Sequence, residues 1–429
     1  MSFFSGPLSF VNKAVRFLFP RKAQPLELRG PVTISLEITA RCNGCCPGCS
    51  NVFPHTGEDM PIESWEKIIQ GLSPLVEEFR ITGGEPTLRE DLPEFLDLLE
   101  STGKYYHIFT NGLWSDPEKL VSIFQRGAHL ASFLFSLHGI TPEVHSSFGK
   151  GGDLSQVLES IHRAIGGGFD VNTNTVLTRK NIHQIEEIVK KCQEIGVRTM
   201  VFARYIGKDH EEFSLPDEQL RAALDCLARL QSQGYNVMIG NCVPACFHRE
   251  TGTGCLAGIT FATVDPRGNL RPCNHSPTIC GNLLEEPIEK LWKDKPMRNW
   301  RNTLPDPCYS CRKITICPGG CKAEAELLGL AADPLIKEPI TDTDDALLEV
   351  NLEEDLCPYL NARTREEDFG IILIRSGHVV PLTRQGKTII SALDGNTALK
   401  ELERRFGPAA ISFIYSLYVR NFVELKSPS

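Results

Sequence analysis

The sequence lacks the features that mark membrane-spanning and nucleic-acid-binding proteins. None of its apolar runs is long enough to cross a bilayer as a helix, and no small-residue cleavage site follows the first segment. Basic charge is also scarce: the formal net charge is −9 at pH 7, whereas a nucleic-acid partner requires a basic face. We therefore expect a cytoplasmic globular protein without a nucleic-acid partner, and its 429 residues predict two or three domains.

Residues 1–30 are set apart by an amphipathic pattern. Apolar residues recur there at helical spacing among basic ones: Phe4, Leu8, Val11, Val15 and Leu18, with Lys13 and Arg16. We expect a helix that docks on the body of the protein; contact with a membrane surface is the alternative.

Cysteine, in contrast, is abundant, with 16 residues in a chain that carries no export signal. Disulfides do not persist in a reducing cytosol, so clustered cysteines there more often hold metal. Most of the cysteines fall within residues 42–49 and 242–321, and Cys357 follows them. Cys192 and Cys226 lie within helical patterns instead, where we expect structural thiols.

Strand-like runs alternate with amphipathic helical patterns over residues 31–235. The predicted strands are Val32–Thr39, Glu78–Thr82, Tyr105–Thr110, Ala131–Leu137, Val171–Leu177 and Thr199–Tyr205. This repetition predicts an α/β fold with a parallel sheet covered by helices. Six such units are too few for a closed eight-stranded barrel, so we expect a partial (β/α)6 TIM barrel with ligands at the carboxyl ends of its strands.

Two further domains are predicted after the barrel. Residues 236–360 are rich in glycine, proline and cysteine and can bury little apolar surface, so bound metal is expected to stabilise them. Within this domain, the acidic stretch from Asp333 to Asp355 is expected to be a loop. Residues 361–429 return to globular patterning and predict a hairpin around Ser376-Gly377 followed by two helices, a small winged-helix-like domain.

The first cysteine group directly follows the first predicted strand. Three thiolates on one short loop can bind three irons of a cubane cluster and leave the fourth iron open. The spacing Cys42-x3-Cys46-x2-Cys49 resembles the loop of radical S-adenosylmethionine (SAM) enzymes. By the residues alone, the set with Cys45 in place of Cys46 and a zinc site are the alternatives.

A second motif strengthens this resemblance. Gly83-Gly84-Glu85-Pro86 follows the second strand, and in radical SAM enzymes this stretch binds the amino group of the methionyl part of SAM. The resemblance also implies that further strand ends line the SAM pocket, with Ser136 and Asn174 contacting its ribose or carboxylate. The other implied pocket positions are Thr110-Asn111-Gly112, Leu137-His138-Gly139, Arg204 and Gly207.

Two positions depart from the pattern of this superfamily. Gly48 stands where many members carry an aromatic residue beside the adenine. The arginine that usually follows the histidine of the fourth strand is absent around Phe148-Gly149-Lys150. These departures concern the affinity for SAM rather than the class of chemistry.

The later cysteines resemble the SPASM extension of radical SAM proteins. Its spacing is matched by Cys255, Gly268-x4-Cys273, Cys308-x2-Cys311-x5-Cys317-x3-Cys321 and Cys357. The resemblance implies two auxiliary iron–sulfur clusters of the [4Fe–4S] type, one held by Cys308, Cys311, Cys317 and Cys357 and the other by Cys255, Cys273 and Cys321. The fourth ligand of the latter is left open among Cys280, Cys242, Cys246 and a vacant iron; two zinc sites are the alternative for the array.

Residues from about 366 to 425 resemble the PqqD-like peptide-binding fold. The matching features are the strand pair, Leu382, Ile389-Ile390, Leu393-Asp394-Gly395 and two helices that end near Phe422-Val423. In that family an edge strand and the adjoining helix receive a leader peptide by strand addition. A generic winged helix is the alternative.

Together these resemblances imply a [4Fe–4S] enzyme that cleaves SAM reductively and abstracts hydrogen from a peptide or protein, giving a cross-link, a thioether or an oxidation. An electron donor such as flavodoxin or ferredoxin is implied as a partner. A sulfatase maturase would carry Asp where Asn274 stands. A small-molecule or tetrapyrrole oxidase or decarboxylase is a second alternative, and a non-enzymatic electron carrier or cluster scaffold is a third. No catalytic acid or base is singled out.

Overall fold

The computed structural model describes residues 27–50, 57–149, 152–249, 254–314, 317–341, 352–375 and 378–427. The predicted amphipathic helix near the amino end therefore lies outside the described residues. Those that are described form two compact units, the first within 30–308 and 317–338 and the second within 27–29, 309–314 and 339–427. Within these ranges, no helix has the length and apolar character needed to span a membrane.

A nine-stranded, mostly parallel sheet is the centre of the first unit. Its strands are β1 (Thr33–Glu37), β2 (Glu78–Thr82), β3 (Tyr105–Thr110), β4 (Leu130–Ser136), β5 (Val171–Leu177), β6 (Thr199–Arg204), β7 (Val237–Ile239), β8 (Phe261–Val264) and β9 (Leu270–Arg271). The strand order is β7-β6-β5-β4-β3-β2-β1-β8-β9, with only the β8–β9 pair antiparallel.

Helices connect the first seven strands of this sheet. They are α1 (Ile62–Leu72), α2 (Leu92–Ser101), α3 (Pro117–Phe124), α4 (Pro142–Phe148), α5 (Leu154–Gly166), α6 (Ile185–Glu194), α7 (His210–Phe213) and α8 (Asp217–Ser232). Three more helices follow the last strand: α9 (Ile288–Leu291), α10 (Lys295–Asn302) and α11 (Lys322–Leu328). The helix α5 shows why the sequence folds this way: its stripe of Leu154, Val157 and Ile161 is buried, and the Asp153 carboxylate caps its first turn.

The partial-barrel prediction is confirmed, since all six predicted strands are present in sequence order in one parallel sheet. Three strands were not predicted. β7 adds a seventh parallel strand, and β8 joins the other side of the sheet by pairing with β1. These strands are two to four residues long and lie among glycines and cysteines, so they lack a measurable period-two pattern.

The second unit contains two small antiparallel sheets, β11 (Arg363–Glu367), β12 (Gly370–Arg375) and β13 (His378–Thr383) in one, and β10 (Cys357–Leu360) and β14 (Val423–Lys426) in the other. Its helices are α12 (Arg384–Ile390), α13 (Leu399–Phe406) and α14 (Pro408–Tyr418). β12 and β13 pair antiparallel on either side of the predicted turn, α13 and α14 contain the two predicted apolar stripes, and α12 was not predicted. Their apolar stripes form a core of their own around Leu402, Phe413 and Leu417.

Candidate functional site

The residues predicted to bind the first cluster and SAM lie at one edge of the parallel sheet. The 42–49 loop follows β1, Gly83–Pro86 follow β2, and Asn111 follows β3. Ser136 ends β4 and pairs in register with Asn174 of the neighbouring β5, and both side chains are partly buried. Because carboxyl ends of parallel strands share an edge, the sequence-predicted groups of these five strands meet there.

The backbone after β2 packs directly against the backbone after β1. The N–H of Gly84 donates to the carbonyl oxygen of Thr39 at 2.8 Å, and the N–H of Glu85 donates to that of Arg41 at 2.7 Å. A Cβ atom on Gly84 would collide with the Arg41 carbonyl oxygen, so only glycine allows this approach. The two motifs therefore form one continuous backbone surface.

The carboxylate of Glu85 is fully buried and joins the ends of β2 and β3. It accepts hydrogen bonds from the Thr110 hydroxyl at 2.9 Å, the Asn111 N–H at 2.7 Å and the hydroxyl and N–H of Thr87. Burial raises the pKa of Glu85, while these donors act in the opposite direction. The chain itself thus satisfies this carboxylate and holds the Gly-Gly turn in place.

The four thiols of the 42–49 loop differ in exposure. Cys45 is exposed, whereas Cys42, Cys46 and Cys49 are partly buried. The Cys42 sulfur accepts the N–H of Gly44 at 3.3 Å, and burial raises the pKa of Cys42 and brings that of Cys46 to about 12. Cysteine sulfurs are soft donors, so a soft metal centre is the group that suits this donor set.

An aromatic cluster lies against this loop, and its rings come from the segments that follow β4 and β6. Cys46 packs on Phe148, Tyr205 and Phe213. Gly48 has a φ of +67°, and a Cβ atom on it would lie 2.6 Å from the Tyr205 ring and 2.8 Å from the carbonyl oxygen of Ile206. The loop carries no aromatic residue at position 48, and a ring from the end of β6 occupies the adjacent space.

Not every implied pocket residue is available to a ligand. Gly207 lies beside Gly48, but Arg204 forms a buried ion pair with Asp333 at 2.7 Å. Asp333 also accepts the Cys321 N–H at 2.6 Å. The predicted loop from Asp333 to Asp355 therefore begins with a buried carboxylate. His138 is buried and stacked on His145, and burial lowers the pKa of His138 to about 3.

The sequence predictions missed a buried polar group at the end of β1, the strand that precedes the 42–49 loop. Glu37, the last residue of β1, pairs with Arg271 of β9 and accepts a hydrogen bond from the Asn274 amide at 3.0 Å. Burial raises the pKa of Glu37 to about 7, although Arg271 and Asn274 favour its ionised form. Glu37 is the one charged residue of the predicted strand Val32–Thr39, and this is the signal that could have identified the group.

The first unit also brings several later cysteines together. Cys242 and Cys321 are buried in a packed group that Cys255 and Cys273 contact. Cys280 belongs instead to the main barrel core, and the Cys246 sulfur accepts the N–H of Lys337 at 3.3 Å. The two cysteines predicted to be structural thiols differ in burial. Cys192 is buried in α6 as predicted, and Cys226 is only partly buried.

The other predicted auxiliary ligands are divided between the units. Cys308 and Cys317 belong to the first unit, and Cys311 and Cys357 belong to the second, so this ligand set stays a prediction. Over the described ranges, no three or more histidine, cysteine or acidic side chains surround a single-ion position. The ligands of a cubane cluster each bind a different iron and need not converge on one point.

The sheet, the strand-end loop and the cysteine groups define a radical SAM protein with an auxiliary iron–sulfur domain. Residues 36–192 match the family model of the Radical SAM superfamily, and residues 255–313 match that of SPASM, an iron-sulfur cluster-binding domain. The chain belongs to the radical SAM superfamily and carries a SPASM domain. It is a radical SAM enzyme whose cofactors are SAM and iron–sulfur clusters.

Its curated relatives include enzymes named PqqA peptide cyclase. The protein from Rhizobium meliloti (strain 1021) is 26% identical over 335 residues, which cover 73% of this chain and 88% of the relative. The protein from Xanthomonas axonopodis pv. citri (strain 306) is 27% identical over 331 residues, with 73% and 88% covered.

Solved structures share the fold at lower identity. Streptococcus suis SuiB bound to its precursor peptide SuiA matches with a TM-score of 0.62 and 20% identity over 72% of this chain and 76% of SuiB. The native enzyme anSMEcpe, with AdoMet and the Cp18Cys peptide bound, matches with a TM-score of 0.54 and 18% identity over 69% of this chain and 90% of that one.

Proposed function

We propose that this chain modifies a peptide by radical chemistry that starts at a [4Fe–4S] cluster bound by Cys42, Cys46 and Cys49. The observation that carries the proposal is the joint position of these thiols and the Gly83–Pro86 turn on one backbone surface at the sheet edge. The exposure pattern supports Cys46 over Cys45 as the third ligand, because Cys46 is anchored on an aromatic cluster while Cys45 faces solvent.

A cluster held by Cys42, Cys46 and Cys49 would supply the electron for reductive cleavage of SAM, and bound SAM would supply the radical chemistry that removes hydrogen from the substrate. The chain supplies binding and orientation. Gly83, Gly84, Glu85 and Pro86 would hold the methionyl part of SAM, and Ser136 and Asn174 would contact its ribose or carboxylate. The Glu85 carboxylate orients the turn through its bonds to Thr110 and Asn111.

The domain assignment is part of the proposal. Residues 31–235 would form the radical SAM partial barrel, 236–360 the SPASM domain and 361–429 the PqqD-like domain, after an amino-terminal segment of residues 1–30. Cys255, Cys273 and Cys321 would bind one auxiliary cluster, and Cys308, Cys311, Cys317 and Cys357 the other.

A peptide substrate is favoured by the relatives. The curated relatives are peptide cyclases by name, and the SuiB and anSMEcpe structures hold peptides. Asn274 weighs against a sulfatase maturase, because its amide binds Glu37 and no carboxylate stands at this position. A flavodoxin or ferredoxin is proposed as the electron donor.

The second unit offers a place for a leader peptide. β11 and β13 are the edges of its three-stranded sheet, and β13 continues directly into α12, so an edge strand and its adjoining helix are both present. Strand addition at such an edge would bind the leader through its backbone. Pro381 in β13 has no N–H to donate, as is common on edge strands.

Deuterium transfer tests the catalytic proposal. The reconstituted, reduced protein is incubated with SAM and candidate peptides, including any short peptide encoded beside its gene, synthesised with deuterated side chains. We expect deuterated 5′-deoxyadenosine and a peptide lighter than its substrate, both lost in the C42A/C46A/C49A variant. Cleavage of SAM without deuterium transfer from any such peptide would support the radical chemistry and contradict the proposal of a peptide substrate.

Backbone methylation tests the leader site without altering the protein. Methylating alternate peptide nitrogens of the leader removes donors that strand addition uses. We expect binding, measured by fluorescence anisotropy, to weaken at least about tenfold for one register of methylation and little for the other. Equal binding of both methylated leaders would exclude strand addition.

A further inference from the structure

The SPASM motif assigns three cysteine ligands to one auxiliary cluster and leaves the ligand of its fourth iron unassigned. Whether the protein also binds that fourth iron decides which roles are open to the cluster. A cluster with an open iron can bind substrate, whereas a cluster with four protein ligands can only transfer electrons or stabilise the fold.

We propose that Cys242 is the fourth ligand of the cluster held by Cys255, Cys273 and Cys321, so that this cluster has no open corner. The assignment rests on the proposed auxiliary clusters. All four cysteines belong to the first unit.

Packing places Cys242 among the three motif cysteines. Cys242 is 6% exposed and Cys321 is 5% exposed, and both lie in one small buried group with Ala257 and Trp300. Cys255 and Cys273 pack against the same group. The Cys242 thiol also interacts electrostatically with those of Cys255 and Cys321. Four sulfurs around one buried region are the donor set of a fully ligated cluster.

The backbone holds Cys242 in this position. Gly240, just after β7, donates its N–H to the carbonyl oxygen of Phe202 at 2.8 Å. The next side chain, Asn241, accepts from the N–H of Arg204 at 3.0 Å and donates to its carbonyl oxygen at 2.8 Å. Residues 240–241 are thus fixed to the end of β6, and Cys242 follows at once.

A buried cation stands beside these sulfurs. Arg204 interacts electrostatically with both Cys242 and Cys321, and Asp333, its ion-pair partner, accepts the Cys321 N–H. Arg204 and Asp333 have opposite electrostatic effects on the Cys321 thiol, and the guanidinium is the member of the pair that favours thiolate at this group.

The two other candidate cysteines have different surroundings. Cys280 packs in the barrel core, where its charged neighbours are Arg301 and Glu326 rather than other thiols. Cys246 is only partly buried and lies near Cys317. Cys317 also approaches Cys242, but its spacing assigns it to the other cluster. Cys280 and Cys246 are therefore matched controls.

The experiment uses the full chain in the C42A/C46A/C49A background, so that only auxiliary clusters remain. C242A, C246A and C280A are each added to it and reconstituted anaerobically. Iron and sulfide are counted, and reduced samples are examined by electron paramagnetic resonance with and without cyanide, a small ligand for open iron sites. C242S serves as a second variant, and circular dichroism checks the fold.

We expect the background protein to show no cyanide response. C242A should either lose about four irons or gain a cyanide-responsive signal, and C242S should alter the g-values of one cluster. The controls should match the background. Unchanged iron and spectra in both Cys242 variants, or the same loss in C280A or C246A, would overturn the assignment. A background protein without auxiliary iron would instead refute the auxiliary clusters themselves.

Discussion

The two cysteine regions of the first unit are built in opposite ways. The 42–49 loop lies at the sheet edge, with Cys45 exposed and its three neighbours only partly covered. The group around Cys242 and Cys321 is enclosed and has a buried ion pair, Arg204–Asp333, beside it. The difference fits the proposed roles, since a cluster that binds SAM needs an accessible iron and a cluster with four protein ligands does not.

The supporting interactions differ in the same sense. Backbone groups and glycines shape the loop, as the contacts of Gly84 and Gly48 show. Buried charged side chains surround the enclosed group, where each must be paired because the surroundings cannot solvate it. We therefore expect substitutions at the loop to change chemistry, and substitutions at the enclosed group to change stability.

The largest effect is expected from the choice between two adjacent cysteines. Cys46→Ala should lower 5′-deoxyadenosine formation at least about a thousandfold, because the SAM-binding cluster loses a ligand. Cys45→Ala should leave the rate within about twofold, since its thiol faces solvent. Product is quantified by liquid chromatography after anaerobic reduction. The reverse outcome would reassign the third ligand to Cys45.

Breaking the buried ion pair should be the largest stability effect. Arg204→Met leaves the Asp333 carboxylate buried without its partner and should cost about 3–5 kcal/mol of unfolding free energy. The double variant Arg204→Met/Asp333→Asn, which removes the charge and keeps an acceptor for the Cys321 N–H, should recover part of this loss. Urea unfolding of the reconstituted protein, followed by tryptophan fluorescence, measures both. A double variant no more stable than the single one would show that the charge pair itself is required.

Glu85→Gln should weaken SAM binding by about 1.5–3 kcal/mol, roughly 10- to 150-fold, because one oxygen that accepts from Thr110 or Asn111 becomes an NH2 group and the turn loses its support. Calorimetric titration with SAM measures the change. Glu78→Gln is the matched control, since this carboxylate lies at the opposite end of the same strand and binds Thr33. Equal losses in both variants would mean a general effect on the sheet.

The smallest effect is expected from a methyl group at Gly103, and the same change at Gly48 should cost more. Gly48→Ala should cost about 1–2 kcal/mol for its left-handed backbone and further energy for displacing the Tyr205 ring. Gly103→Ala, with a φ of +65° and open space around it, should show the backbone cost alone. Urea midpoints and iron content compare the two. Iron content should fall only in the Gly48 variant. Unchanged iron content in that variant would show that the position of the Tyr205 ring does not affect cluster assembly.

Much of the first unit could be predicted because its signals are local. The stripe of α5 and the six strands each follow from residues adjacent in sequence, and so do the spacings of Cys42–Cys49 and Gly83–Pro86. The position of these motifs at strand ends then follows from the parallel topology.

The rest depends on long-range contacts that no local pattern encodes. The pair of Arg204 and Asp333 joins residues far apart in the chain, and the Glu37–Arg271 pair does the same. Arg204 was predicted to line the SAM pocket from its place at a strand end, but a buried carboxylate from an acidic stretch engages it. Charge composition alone cannot distinguish a solvated acidic residue from one that finds a buried cation.

Electron paramagnetic resonance of the reduced protein, recorded with and without SAM, tests the central claim most directly. We expect SAM to change the signal of one cluster in the parent protein, and the C42A/C46A/C49A variant to lose that SAM-responsive signal while it keeps auxiliary iron. A parent spectrum that SAM does not change, or a variant that still responds to SAM, would contradict the assignment of the cluster with an open iron to the 42–49 loop.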